Sequence, residues 1–547
     1  MSAQQESGEK SRAEEGAKDA TEAKGVPNPV SVDTVADFLF AMREKGIRIW
    51  LDRGRLRYQA PRGLLSQHEM SELRASADAI IMFLQHQTSS RSGQIPLARR
   101  PQGARIPLST SQMGWYSGLQ LEHRRSIRIG VATRLLGPTN IRALEKSIAE
   151  LVRRHEALRT RIITVDGVQW QAVDEPADPH LELMDVTRVS DGEREATSAV
   201  ERFEAESVDV AMGPLFAARL LKLAEDHHVL IISIDHLISD AISIGIIVRD
   251  MWSLYSQIDQ GHPISLPDLS VQFSDYAIWQ EKVRQSTRDR AHVYWGKHLA
   301  GARAVRLSLE TPPVETGGAR WGIEPIRVDS SLSASLREFS RWKQTTLAIC
   351  ALTAHVALRL RWSNVMDHLL FFGTAGRQQA ELENLVGYFA SGVLLRLTLF
   401  EEDSFLTLMR KIEYELGSAN EHSEEPMTGV DSSAIAGAGG FYWIPKDFYI
   451  DPLDCTRKCD VYDLGNGVRT EPFPFKRTAS PFDDLDFDME PSIFLSDGRD
   501  SIEGYVLYRT NRSKSAVIER FARNLVHFLK IIESDPNTQV MSVTCIA

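Results

Sequence analysis

Ile234-Asp235-His236-Leu237-Ile238-Ser239-Asp240-Ala241 is the stretch on which the reading turns. The run before it, residues 228–234 (HVLIISI), is apolar and β-branched enough to be a buried strand, and residues 241–258 (AISIGIIVRDMWSLYSQI) read as a helix. His236 therefore stands where a rigid strand ends and a helix begins, with Asp240 four residues on, able to fix the turn or the ring. Histidine is the side chain whose ordinary pKa lets it exchange protons near neutrality. Taken locally, the pattern serves equally for a partly buried histidine satisfied by Asp240. His227-His228 offers a second pair, but no acid stands five residues after His227, where Ile232 is found. Those two are expected on the polar turn before the strand.

Outward from this point the chain is that of a globular protein: 547 residues, 43% apolar and 25% charged. Its length calls for several units. No run is long and apolar enough to span a membrane, and no apolar signal core precedes residue 30. Four cysteines, Cys350, Cys455, Cys459 and Cys545, suit a reducing cytoplasm. Cys455 and Cys459 lack a second Cys/His pair nearby, so no metal is expected. A formal charge of −11 disfavours nucleic acid as a partner.

Residues 1–30 are polar and are expected to form a disordered leader. Within 31–87, Val35, Phe38, Leu39 and Met42 recur at helical spacing. Two alternating runs, residues 47–51 and 55–58, flank Asp52-Arg53-Gly54, a hairpin signal. A second helix carries Leu73, Ile80, Ile81 and Leu84. The Ser/Gly/Pro/Arg-rich residues 88–105 read as a linker. Beyond it, helical and strand patterns alternate to the end. A break between two lobes is expected near the Pro/Gly-rich 261–270, giving lobes of 106–270 and 271–547.

The quoted stretch resembles the HHxxxDG motif of nonribosomal peptide condensation domains, members of the chloramphenicol-acetyltransferase-like superfamily. Other motifs of that family follow in its order. Leu108-Ser109-Thr110-Ser111-Gln112 with Trp115-Tyr116 is similar to SxAQxRLW, and residues 154–160 (RHEALRT) match RHExLRT. Residues 274–280 (SDYAIWQ) resemble YxDYAxWQ, and Gly373-Thr374 to Arg377 with residues 383–389 (ENLVGYF) resemble GTxxxxR…ENxxGxF. There are departures: Asp235 replaces the first histidine, Ala241 the final glycine and Gly114 the arginine of the opening motif. Ala390-Ser391-Gly392 replaces FVNT, the arginine-rich RDxSRxP motif is not recognisable, and His422 and Pro426 match HxxxPF only loosely.

The resemblance implies an α/β (α+β) fold of two lobes forming a V around a central tunnel, preceded by a small α-β-β-α domain. It implies an acyltransferase that joins a carrier-bound acyl, peptidyl or polyketidyl thioester to an amine or hydroxyl, in the cytoplasm. His236 would act as general base or orient the nucleophile. Asp240 would organise the loop, with Arg154 or Arg159 as its ion-pair partner, and Asp235 and Ala241 would shape the motif. No resident cofactor is implied; phosphopantetheine would arrive on a partner carrier. Residues 46–66 resemble the tubulysin-type N-terminal docking domains, in which a β-hairpin captures a partner's C-terminal tail by strand addition. Here Trp50, Arg53, Arg55, Arg57 and Tyr58 would form that surface. No adenylation signature and no carrier attachment site is recognised, so the reading is a stand-alone enzyme meeting its carriers in trans. Two alternatives stand beside it: a degenerate condensation-like scaffold, favoured by Asp235 and Ala241, and an epimerase.

Overall fold

The structure is a computed structural model. It describes residues 95–121, 128–177, 181–206, 208–303, 305, 307, 321–423, 440–444, 461–473, 491–498 and 500–546. Before residue 95 it describes three strands and Met70, Leu73, Ser76, Ala77 and Ile80. The chain divides into two compact units, Met1–Ile95 and Pro96–Ala547.

In the first unit, strands β1 (Lys18–Asp19), β2 (Arg48–Asp52) and β3 (Arg55–Gln59) form a sheet in the order β1-β3-β2. The expected hairpin is present, with Trp50 opposite Arg57 and Asp52 opposite Arg55. Strand alternation therefore places positions 55 and 57 on one face and position 58 on the other. Lys18–Asp19, inside the leader expected to be disordered, pairs with Tyr58 and Arg57. Met70, Leu73, Ala77 and Ile80 are helical, and the last three are buried, as the spacing of the second helix requires. Arg53, Ile81, Leu84 and the helix through Val35–Met42 lie outside the described residues.

The second unit opens with β4 (Ile106–Pro107), α1 (Thr110–Leu121), β5 (Arg128–Leu136), α2 (Ile141–Arg154), β6 (Thr160–Val165), β7 (Val168–Val173), β8 (Glu182–Asp185), α3 (Gly192–Ala205), β9 (Phe216–Ala224), β10 (His227–Asp235), α4 (Ala241–Asp259) and α5 (Phe273–His298). Then come β11 (Trp321–Arg327), α6 (Ser330–Trp342), α7 (Leu347–Ser363), β12 (Asp367–Thr374), β13 (Ser391–Thr398), α8 (Phe405–Asn420), β14 (Gly440–Ile444), β15 (Asp463–Gly465), β16 (Val468–Pro472), β17 (Ser492–Asp497), β18 (Ile502–Arg509) and α9 (Ser515–Ser534). Two six-stranded sheets carry the unit, ordered β15-β16-β5-β10-β9-β8 and β11-β18-β17-β14-β12-β13, with a small sheet β4-β7-β6 beside them.

Local chemistry starts and stops these elements. Asn140 accepts from the Ala143 amide and caps α2, whose Leu144, Ile148, Leu151 and Val152 turn inward at helical spacing. Central β10 is buried along nearly its whole length, flanked by β5 and β9. His227 and His228 are its first two residues, not a preceding turn: the strand begins earlier than its apolar run because β5 pairs with it back to Leu136.

Two boundaries differ from expectation. Pro96 onward belongs to the second unit, because Arg100 reaches Glu156 at 2.8 Å and Asp275 at 3.0 Å, while Arg99 donates to the carbonyls of Leu269 and Ser270. Composition reads such a segment as a linker; its partners stand far along the chain. The division at 270 is also not clean. Strand β16, late in the chain, pairs with β5 and carries β15 with it, so the first sheet contains residues from both expected lobes.

Candidate active site

His236 begins a single 3-10 turn, His236–Ile238, directly after β10. Asp235 Oδ1 accepts from the Leu237 amide and the Ser239 hydroxyl donates to the Asp235 carbonyl, so the residue replacing the first motif histidine caps this turn. Gln112 Nε2 donates to the Leu237 carbonyl at 2.8 Å, and Ser109 and Gln112 bond each other's amides reciprocally. The opening motif thus clamps the histidine loop.

His236 Nδ1 lies 2.9 Å from the Ser239 carbonyl. A carbonyl only accepts, so Nδ1 carries the hydrogen and the neutral ring keeps its lone pair on Nε2. No described group bonds Nε2, and the residue is half-buried. The ring packs against two others: Trp115 of α1 at 4.9 Å and Tyr388, just before β13, at 4.7 Å between centroids. The indole and phenol rings meet edge to face at 6.3 Å.

Asp240 is buried and caps α4 through the Ser243 amide. Its carboxylate also accepts from Arg377 at 2.8 and 3.1 Å, from the Ser243 hydroxyl, and from the amides of Phe389 and Ala390. Burial alone would raise this carboxyl; Arg377 and the other donors outweigh it and hold it below the usual carboxylate range. The Ser243 hydroxyl oxygen also accepts from the Gly387 amide and lies 2.8 Å from the Gly387 carbonyl. One carboxylate thereby ties the histidine loop to the 377–390 segment that carries Tyr388.

This corrects the expected partner. Arg154 bonds Asp250 at 3.1 Å and the Pro267 carbonyl, while Arg159 bonds the Asp174 carbonyl and lies 3.8 Å from Glu156. Neither arginine pairs with Asp240. The RHExLRT match is scaffolding: His155 Nε2 meets Asp250 at 3.1 Å with burial pushing the imidazole down, and Glu156 holds Arg100 and Ser274. In the SDYAIWQ segment, Asp275 closes a capping box on α5 and Gln280 accepts from the Thr110 amide that opens α1.

The other departures are equally legible in place. Ala241 is absent from the positive-φ positions, so the turn does not require the family's glycine there. A Cβ at Gly114 would meet nothing within 4 Å. Ala390 serves Asp240 through its amide, which any residue other than proline supplies. His422 stacks on Tyr294 at 3.9 Å, away from His236's ring partners, and Pro426, Cys455 and Cys459 lie outside the described residues. The side chains of Trp50, Arg53, Arg55, Arg57 and Tyr58 also lie outside them. Among the described residues no cluster of His, Cys, Asp and Glu is suited to a metal, and no helix is long and apolar enough to cross a membrane.

The His236 turn thus follows a strand of one six-stranded sheet and is tied through Asp240 to the segment that leads into β13 of the other. Residues 102–547 match the Condensation domain, and the chain belongs to that family. Residues 35–86 match the TubC N-terminal docking domain. A linear gramicidin synthase of Brevibacillus parabrevis is 31% identical over 67% of this chain and 7% of its own length. Enniatin synthase of Fusarium equiseti is 27% identical over 75% of this chain and 13% of its own, so the chain spans only a small part of these curated relatives. The X-domain from teicoplanin biosynthesis superposes with a TM-score of 0.67, at 21% identity, over 83% of this chain and all of that one. The first condensation domain of the CDA synthetase gives 0.60, at 18% identity, over 81% and all of its length.

Proposed function

We propose that this protein transfers an acyl, peptidyl or polyketidyl group from a carrier-bound thioester to an amine or hydroxyl, forming an amide or an ester in natural-product assembly. The observation that carries this reading is the lone pair on His236 Nε2, set by the Nδ1–H bond to Ser239. The incoming nitrogen or oxygen attacks the thioester carbonyl carbon while Nε2 takes its proton. The C–S bond then breaks, and the departing thiolate is protonated to the free thiol. A thioester is already activated, so positioning and general-base help are the chain's own contributions; the latter is typically worth about 10²–10⁴ in rate. The donor's phosphopantetheine arm belongs to the carrier.

The TubC-like segment supplies the partner half of the reading: a hairpin that takes a carrier-bearing protein's C-terminal tail by strand addition. Acyl-loaded carriers and a panel of amine and alcohol nucleophiles, read by intact mass, test the reaction. Turnover that falls by about 10² or more in His236→Ala is expected. Turnover within tenfold of wild type would remove His236 as base. Binding of carriers without any transfer to any nucleophile would favour the scaffold alternative.

A further inference from the structure

We infer that Trp115 and Tyr388 are positioning residues that hold the His236 imidazole by the faces and edges of their rings. The inference rests on the reading of His236 as base and names what aims it. A single hydrogen bond at Nδ1 selects the tautomer only while the ring stays aimed at the Ser239 carbonyl, and by itself it leaves the ring free to swing away. Two aromatic rings at 4.9 and 4.7 Å, tilted 40° and 55° to the imidazole and only 6.3 Å from each other, crowd it on two adjacent sides and limit that swing.

The Trp115 ring is not placed by its polar atom. Trp115 Nε1 is buried without a hydrogen-bond partner among the described residues, and the Tyr388 hydroxyl makes no hydrogen bond among them either. A buried N–H left unpaired is costly, so a residue retained at that cost is retained for its ring. The two rings reach the imidazole from distant parts of the chain. Trp115 is carried by α1, which Gln112 locks to the histidine loop; Tyr388 is carried by the segment bound to Asp240 and Ser243. The aim of Nε2 therefore depends on both attachments being closed.

The test uses the full chain with carrier-bound donor and with labelled histidines, His236 being assigned by its loss in His236→Ala. Trp115→Leu and Tyr388→Leu keep apolar volume and remove the ring. Each is expected to lower kcat about 10- to 100-fold, as a small misplacement of a reacting group does, while KM stays within about twofold. In the same variants the nitrogen signals of His236 move from one Nδ1–H tautomer to a mixture. Trp115→Phe and Tyr388→Phe, which keep a ring and drop the polar atom, are expected to stay within about threefold of wild type in kcat. Leucine variants that fold with unchanged kcat and tautomer would overturn the inference, as would phenylalanine variants as impaired as the leucine ones. An active His236→Ala would instead overturn the assignment of the base, while the tautomer readout would still judge the clamp.

Discussion

Asp240 makes the sharpest prediction about a single residue. Its two oxygens accept six hydrogen bonds from the described residues, and Arg377, itself buried, provides two of them. In Asp240→Asn an NH2 group must face donors, leaving the guanidinium uncompensated; breaking a buried pair in this way costs about 3–5 kcal/mol. Denaturant unfolding should register that loss, and activity should fall with it. Arg377→Lys should also lose stability, because an ammonium cannot reproduce the two-pronged contact. The folded-state carboxyl lies below its ordinary range, so its stabilising contribution is complete at neutral pH and disappears as acid protonates it. Asp240→Asn should therefore flatten the acid limb of the stability curve. An Asn variant with unchanged melting temperature but no transfer would give Asp240 a chemical role instead.

At the scale of elements, what is legible in the sequence is what is written locally. Strand β10, the turn at His236 and helix α4 are encoded in a β-branched run, a capping aspartate and a helical periodicity, so the candidate base can be read directly. Arg377 stands 137 residues from Asp240, and nothing local distinguishes it from Arg154 or Arg159, which lie in a better-matched motif. Trp115 and Tyr388 are visible as motif letters without a role, because only the docking of α1 and the 377–390 segment brings their rings together. Helices α5 and α8 offer a prediction of the same kind. Burial pushes the Glu415 carboxyl of α8 up to about 7, with His298 of α5 at 3.7 Å and itself pushed down by burial. A carboxyl raised in the folded state favours the fold while protonated. That contribution is lost as pH rises from the ordinary carboxylate range through about 7. Glu415→Gln should raise the melting temperature at pH 8 and leave it unchanged at pH 4. A gain of equal size at both would trace the effect to packing.

For the whole molecule, the two units imply separable tasks. Deleting residues 1–95 keeps Arg99 and Arg100, which belong to the second unit, and should leave turnover of a small thioester mimic unchanged. The same deletion should raise the concentration needed of a carrier that bears its docking tail, since tethering works through local concentration, commonly in the millimolar range. Added salt should weaken the intact protein's use of that carrier if charge steers the encounter. Equal slowing of mimic and carrier would make the first unit a support for the second. The pairing of β16 with β5 sets a timetable for synthesis. Leu136 meets Arg469, more than three hundred residues later, so a ribosome must deliver most of the chain before one edge of the first sheet is covered. Until then β5 offers an unpaired edge to neighbouring nascent chains. A fragment ending at residue 270 should accordingly aggregate when expressed alone and become soluble when residues 271–547 are supplied beside it.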